Sequence, residues 1–266
     1  MHSFSQSMKP CYPSHITMGI VIALLCLILI FLVWDVRLRI SYLLYGRRRY
    51  ERFHRVQTEG ARLVLAVATA YTGFRLVVEN ALPAALSAPF MILSNHQSLA
   101  DIPILAYAFS GHTVGFVAKR ELRRGVPAVS IVLRKGKHAL ISRKGDFRTA
   151  RRELRKLAAY SREGVCPVVF PEGTRSRSGR VGAFHSAAVR TILEEVEMPV
   201  LTVAVDGGYR IAGIRGLTTN LRRCIYRVRF LSLYPPTGQR SRVRDILDRS
   251  HREITKQVEG WRKTES

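Results

Sequence analysis

The chain has 266 residues, with 43 Lys+Arg against 19 Asp+Glu, a formal charge of +24 and 47% hydrophobic residues. That apolar content excludes a disordered basic tail, and the length suits one α/β domain with an accessory segment. The basic excess implies a polyanionic partner or surface, with nucleic acid, anionic lipid headgroups and phosphorylated metabolites all open.

The first feature in chain order is Ile16–Trp34, 19 residues without a charge. As a helix at ~1.5 Å per residue it covers about 28 Å, close to the hydrocarbon thickness of a bilayer. It predicts a retained transmembrane anchor, because the apolar region of a cleaved signal peptide is shorter and ends in small residues. Lys9 alone precedes the run, whereas Arg37, Arg39, Arg47–Arg49, Arg52 and Arg55 follow it. By the positive-inside rule this is a single-pass anchor in the cell membrane, with the rest of the chain on the cytoplasmic side and the arginines against anionic lipid. Leu63–Ala70 is too short to cross and is expected as an interfacial or docking helix. Cys11, Cys26, Cys166 and Cys224 are too scattered for a disulfide framework and lack metal-ligand spacing. No metal is expected, and Cys26 and Cys166 read as small hydrophobes.

Beyond the anchor, short apolar runs at 90–94, 114–118, 138–142, 165–170, 199–205 and 225–231 read as strands. Between the third and fourth, Asp146 is placed to cap a helix carrying Phe147, Ala150, Leu154, Leu157 and Ala158 on one face, with Gly164 as its stop. A tail helix over 242–262 puts Val243, Leu247, Ile254, Val258 and Trp261 on one side. Strand, helix and strand with short links predict an α/β fold: a mixed, mainly parallel sheet flanked by helices, preceded by the transmembrane helix and the interfacial helix. The expected division is 1–57 for the anchor and basic juxtamembrane segment, and 58–266 for the catalytic domain.

Two segments carry chemistry. SNHQSLADIP (94–103) follows the first strand directly, so His96 falls at a strand-to-helix turn and Asp101 in the opening of the next helix. There the carboxylate can hold one imidazole nitrogen while the other faces substrate, an arrangement suited to a general base. VVFPEGTRSRSG (168–179) is an apolar strand breaking at Pro171 into a loop with Glu172, Gly173, Thr174, Arg175 and Ser176. Glycine permits close backbone approach, the hydroxyls donate, and arginine matches phosphate oxygens, which makes an anion-binding loop by composition. Between them, Lys119, Arg134, Lys135, Lys137 and Arg143 are spread over a strand, a helix and the next strand. Arg143 ends a strand, where α/β ligands usually bind.

His96-x4-Asp101, the Lys119–Arg143 segment, Phe170–Ser176 and Met198-Pro199-Val200 occur in the order and approximate spacing of the glycerolipid acyltransferase family, and over residues 74–210 the chain resembles a bacterial membrane-bound lysophosphatidic acid acyltransferase. The resemblance implies that His96 deprotonates the acceptor hydroxyl, Asp101 holds its tautomer, and the hydroxyl attacks an acyl thioester directly. It further implies that Arg143, Glu172, Gly173, Thr174 and Arg175, with Lys119 beside them, form the site for the acceptor's phosphate. Glu172, an anion, is expected to position Arg175 or a substrate hydroxyl. No cofactor is implied beyond the acyl thioester co-substrate, carried on coenzyme A or acyl carrier protein. The implied partners are that carrier, lysophosphatidic acid or a related lyso-lipid, and anionic membrane lipids, with no specific nucleic acid. The chain departs from the usual pattern at Ser130, where glycine is common, at Phe184-His185-Ser186-Ala187, which lacks a basic residue, and at Thr202, where a second proline is common. His185 is expected at the surface.

Three other functions compete. The same chemistry could act on a different lyso-lipid acceptor, such as a lyso-amino-acid lipid or a lysophospholipid. A membrane-tethered polyanion-binding protein would use the 14 Lys+Arg against three acidic residues in 119–156, but no recognition-helix, RNP-type or zinc-finger pattern occurs. A serine hydrolase would show G-x-S-x-G, and the chain has none.

Overall fold

The computed structural model describes residues 14–45, 50–82, 86–142, 146–213, 216, 220–222 and 224–264, with side chains from Val21 onward other than Ala23, Tyr45 and 50–52. It opens with a helical hairpin of α1 (Ser14–Tyr45) and α2 (Tyr50–Thr72). Trp34 of α1 donates its Nε1–H to Val56 O of α2 at 2.9 Å. Its indole lies on Gly60, where a Cβ would come within 2.5 Å, so only glycine lets the helices meet at that point. Leu38 and Phe53 are buried between the helices and α4 (Val129–Lys135).

Among the described residues no helix is long and apolar enough to cross a membrane. The expected anchor segment is part of a helix packed along a partner, with Leu25, Ile28, Leu29, Leu32, Leu43 and Leu44 exposed on its other side. Of the juxtamembrane arginines, Arg37 pairs with Glu59 and Arg39 with Asp35, Arg47–Arg49 lie outside the described residues, and Arg55 is exposed. Leu63–Ala70 is the second half of α2, and Ala68 and Leu65 dock it on the core. The 57/58 boundary falls inside α2.

The sheet is mixed and mainly parallel, as expected. Its strands are β1 (Arg75–Glu79), β2 (Met91–Ser94), β3 (Val114–Lys119), β4 (Ala139–Ile141), β5 (Cys166–Val169), β6 (Val200–Asp206) and β7 (Ile225–Tyr234), in the order β1-β7-β6-β2-β5-β3-β4. From β6 to β4 all pairs are parallel; β7 is antiparallel to β6, and β1 runs parallel to β7. The central strands β2, β5 and β6 are buried on both faces, which their unbroken apolar runs require. β1 was not among the expected strands: its five residues are half exposed at a sheet edge and have no long apolar run.

One face of the sheet packs on α3 (Asp101–Ala108) through Phe90, Ile104, Phe109 and Tyr226. The other packs on α5 (Phe147–Ser161), α6 (Ala187–Glu195) and α7 (Arg240–Lys263) through Leu154, Leu157, Ile192 and Val243. Asp146 caps α5 as predicted, accepting from the Arg148 N–H. Phe147 does not join the core: at the first position of α5 it is 92% exposed. All five apolar residues expected on one side of the tail helix are buried. Thr202, the unusual residue of β6, shares a 2.8 Å hydrogen bond with Ser250 of α7, which ties that helix to the sheet. Burial pushes the Cys166 thiol up to about 11, so it behaves as a small apolar group.

Candidate active site

Because β6, β2, β5, β3 and β4 are parallel, their C-terminal ends share one edge, and neighbouring strands deliver neighbouring loops to it. β2 leads into the His96 turn, and β5 beside it leads into Pro171–Ser176. β3, on the far side of β5, ends at Lys119.

The turn after β2 is anchored by Asn95, whose side chain mimics a strand: its Nδ2 donates to Val205 O and its Oδ1 accepts from the Val205 N–H, both at 2.9 Å. His96 Nδ1 then lies 2.7 Å from Asp101 Oδ2. The carboxylate can only accept, so Nδ1 carries the ring proton and Nε2 keeps a lone pair. Asp101 is wholly buried at the start of α3, where the helix N-terminus favours its charge. Its Oδ2 also accepts from the Gln97 and Ser98 backbone N–H groups at 2.7 and 3.0 Å, and its Oδ1 accepts from Ser98 Oγ at 3.1 Å and Tyr226 Oη at 2.7 Å. Burial, the Asp101 charge and this hydrogen bond hold the Tyr226 phenol well above its usual value, so it remains a donor. Phe170, the last residue before Pro171, stacks on the His96 ring at 4.1 Å between centroids.

Glu172 Oε1 accepts from the His96 N–H and its Oε2 from the Gly182 N–H, both at 2.8 Å, so it positions the histidine turn. Burial raises its carboxyl, and the two amides oppose that shift. The Ser176 N–H donates to His96 O at 2.8 Å and adds a second tie between the loops. Gly173 turns at φ +66, a left-handed conformation that favours glycine, and Thr174 and Arg175 beside it are exposed. Lys119 is brought to the same edge, its Nζ 4.0 Å from Glu121 Oε2. Arg143 lies outside the described residues. His185 is exposed, as expected.

Beneath the turn sits a network without a sequence signature. Buried Gln97 donates Nε2–H to Asp206 Oδ1 at 2.8 Å and accepts from the Tyr209 N–H at 3.3 Å. Asp206 also accepts from Arg262 of α7 at 2.9 Å. The one available signal was Asp206 itself, a carboxylate ending an apolar strand at the ligand edge.

A base with a free Nε2, a buried carboxylate behind it and a basic loop alongside can take a proton from a hydroxyl that becomes a nucleophile. Comparisons with known proteins agree with that chemistry. Residues 75–206 match the family model described as Acyltransferase. A 1-acyl-sn-glycerol-3-phosphate acyltransferase of Borreliella burgdorferi is 27% identical over 133 residues, 50% of this chain and 52% of that protein. A chloroplastic 1-acyl-sn-glycerol-3-phosphate acyltransferase of Brassica napus is 29% identical over 123 residues, 46% of this chain and 34% of that one. The chain thus spans about half or less of the length of the curated relatives it matches. The 1-acyl-sn-glycerophosphate (LPA) acyltransferase structure from Thermotoga maritima superposes with a TM-score of 0.63 at 24% identity, covering 88% of this chain and 95% of that one, and shares the fold.

Proposed function

This chain belongs to the glycerolipid acyltransferase family through residues 75–206, and we propose that it transfers a fatty acyl group from an acyl thioester to the free hydroxyl of lysophosphatidic acid, giving phosphatidic acid. The observation that carries this reading is the 2.7 Å bond from His96 Nδ1 to buried Asp101, which leaves Nε2 free to act as the base. In the reaction Nε2 takes the hydroxyl proton as the oxygen attacks the thioester carbonyl. The tetrahedral intermediate collapses with cleavage of the C–S bond, and the imidazolium returns its proton to the departing thiolate. Asp101 stabilises the transient imidazolium throughout. Arg175, Thr174 and the Gly173 backbone, with Arg143 and Lys119, bind the acceptor's phosphate, while Glu172 keeps the histidine turn in register with that loop. Coenzyme A and acyl carrier protein are both anionic, and either suits a chain of charge +24 as donor.

The protein attaches to the cytoplasmic face of a membrane through α1, its exposed leucines entering the hydrocarbon and the exposed arginines meeting anionic headgroups. A second reading keeps the chemistry and changes the acceptor to another lyso-lipid. It is favoured by Val181–Ala188, which holds no Lys or Arg and whose Phe184 packs on His251 at 4.9 Å.

Purified protein in detergent, given lysophosphatidic acid and labelled acyl thioester on each carrier, should form labelled phosphatidic acid. His96→Ala should lose about 10²–10⁴ of the rate. No product with wild type on any carrier, or full activity in His96→Ala, would show this reading to be wrong; product only with a different lyso-lipid would select the second.

A further inference from the structure

At β4, the last strand of the sheet, a cleft of about 130 Å³ opens between the segment after β3, α4, β4 and α5. Arg120, Arg123, Arg134 and Lys156 line it, and Glu153 is the one carboxylate among its described lining residues. None of the lining residues belongs to the His96–Asp101 pair or to the Pro171–Ser176 loop. Against the cleft lies His138, only 3% exposed. The Phe116 N–H donates to His138 Nδ1 at 3.0 Å, so Nδ1 is the accepting nitrogen and the ring proton sits on Nε2. That Nε2–H finds no partner among the described residues. Burial lowers the imidazole to about 4, so the ring stays a neutral donor at physiological pH. A buried donor with no acceptor is uncommon and calls for a reason. Gly136 supplies another observation: its φ of −75° suits any residue, but a Cβ there would lie 2.5 Å from His138 Nε2. The same Cβ would lie 2.6 Å from Val132 O, so the turn beside the orphaned donor has room only for glycine.

We propose that this cleft is an anion site, separate from the reaction site, that takes a phosphate group through Arg120, Arg123, Arg134 and Lys156, with His138 Nε2–H as the neutral donor beneath. Four cations against one carboxylate select an anion, and guanidinium forks from different elements suit the several oxygens of a phosphate. The phosphate can belong to a soluble molecule or to a lipid headgroup. The headgroup is favoured by the setting, because Ala128 and Ile131 pack α4 on α1 while Leu133 and Arg134 of the same helix line the cleft.

The test reads binding, so its outcome is independent of whether acyl transfer occurs. Full-length protein in zwitterionic detergent, labelled with ¹⁵N-histidine, would be titrated with inorganic phosphate against chloride at matched ionic strength. A parallel flotation assay would use vesicles of phosphatidylcholine with and without phosphatidylglycerol. A saturable phosphate-specific shift at His138, weakened about tenfold by Arg123→Gln and abolished by Gly136→Ala, establishes a site open to soluble phosphate. Loss of phosphatidylglycerol-dependent flotation in the same variants, with no response to inorganic phosphate, assigns it to headgroups. Unchanged binding in both variants, or no response to either probe, overturns the proposal. Should Gly136→Ala fail to fold, Arg123→Gln combined with Arg134→Gln, both at exposed positions, decides it by the same readouts.

Discussion

Tyr226 Oη donates to Asp101 Oδ1 at 2.7 Å, joining β7 to the first residue of α3 across 125 positions. It is one of five donors converging on a single buried carboxylate, and the one that comes from outside the His96 turn. Tyr226→Phe keeps the ring and removes that bond. A hydrogen bond to a charged group is worth about 1.5–3 kcal/mol, and the lower end applies because Ser98 Oγ still serves Oδ1. A lower melting temperature and a severalfold fall in kcat with unchanged acceptor KM are expected. Thermal unfolding and steady-state kinetics check this, and an unaltered variant would mean that Asp101 does not depend on Tyr226.

Glu172→Gln tests the tie between the loops. An amide can accept from only one of the His96 and Gly182 N–H groups and sets its own NH2 against the other, so activity should fall although no substrate contact is removed. The pH dependence has a definite sign. Burial raises the folded-state carboxyl above its usual 4.5, so in that window the folded protein holds more proton than the unfolded chain. Wild-type stability relative to Glu172→Gln should therefore be greatest below 4.5 and shrink as pH rises through the folded value. Melting temperatures of both proteins across that range measure it, and a gap that widens with pH would reverse the assignment.

Much of the fold was legible because its signals are local. The apolar runs of β2, β5 and β6, the Asp146 cap and the tail helix's spacing each depend on residues close in the chain. So did the His96–Asp101 pair, since a strand-to-helix turn brings them together without help from elsewhere. What escaped depends on distant segments: Gln97 and Asp206 meet across 109 positions, and nothing in either neighbourhood names the other. The two amides that Glu172 binds, those of His96 and Gly182, are likewise marked by no letter of the sequence. Phe147 fits the helical period of α5, yet the period does not tell which turns of a helix are covered.

Membrane attachment through α1 has a direct test. Leu25 and Leu29 are each 61% exposed one turn apart, so glutamates there should leave the α1–α2 contact intact. Leu25→Glu with Leu29→Glu should sharply reduce flotation with anionic vesicles while far-UV circular dichroism and activity on detergent-dispersed substrate persist. Undiminished flotation would move the attachment elsewhere.

Arg262→Ala removes the cation that α7 supplies to Asp206. The pair is only partly shielded, with the arginine side chain 27% and the aspartate 4% exposed, and a loss of about 1–3 kcal/mol is expected. Gln97 follows His96 directly in the chain, so kcat should fall as well. Chemical denaturation with kinetics on the folded fraction separates the two effects, and a change in neither would leave Arg262 without a role in this network.

The same ion pair has a consequence for how the protein is made. Asp206 ends a central strand, while its partner Arg262 is translated 56 residues later. At ~5–20 residues per second the interval is roughly 3–11 s. Throughout it the nascent chain carries β6, the His96 turn and the Pro171–Ser176 loop without the arginine. The floor beneath the histidine is therefore completed only after α7 has left the ribosome, and a growing chain acquires its working geometry well after the catalytic turn itself has been made.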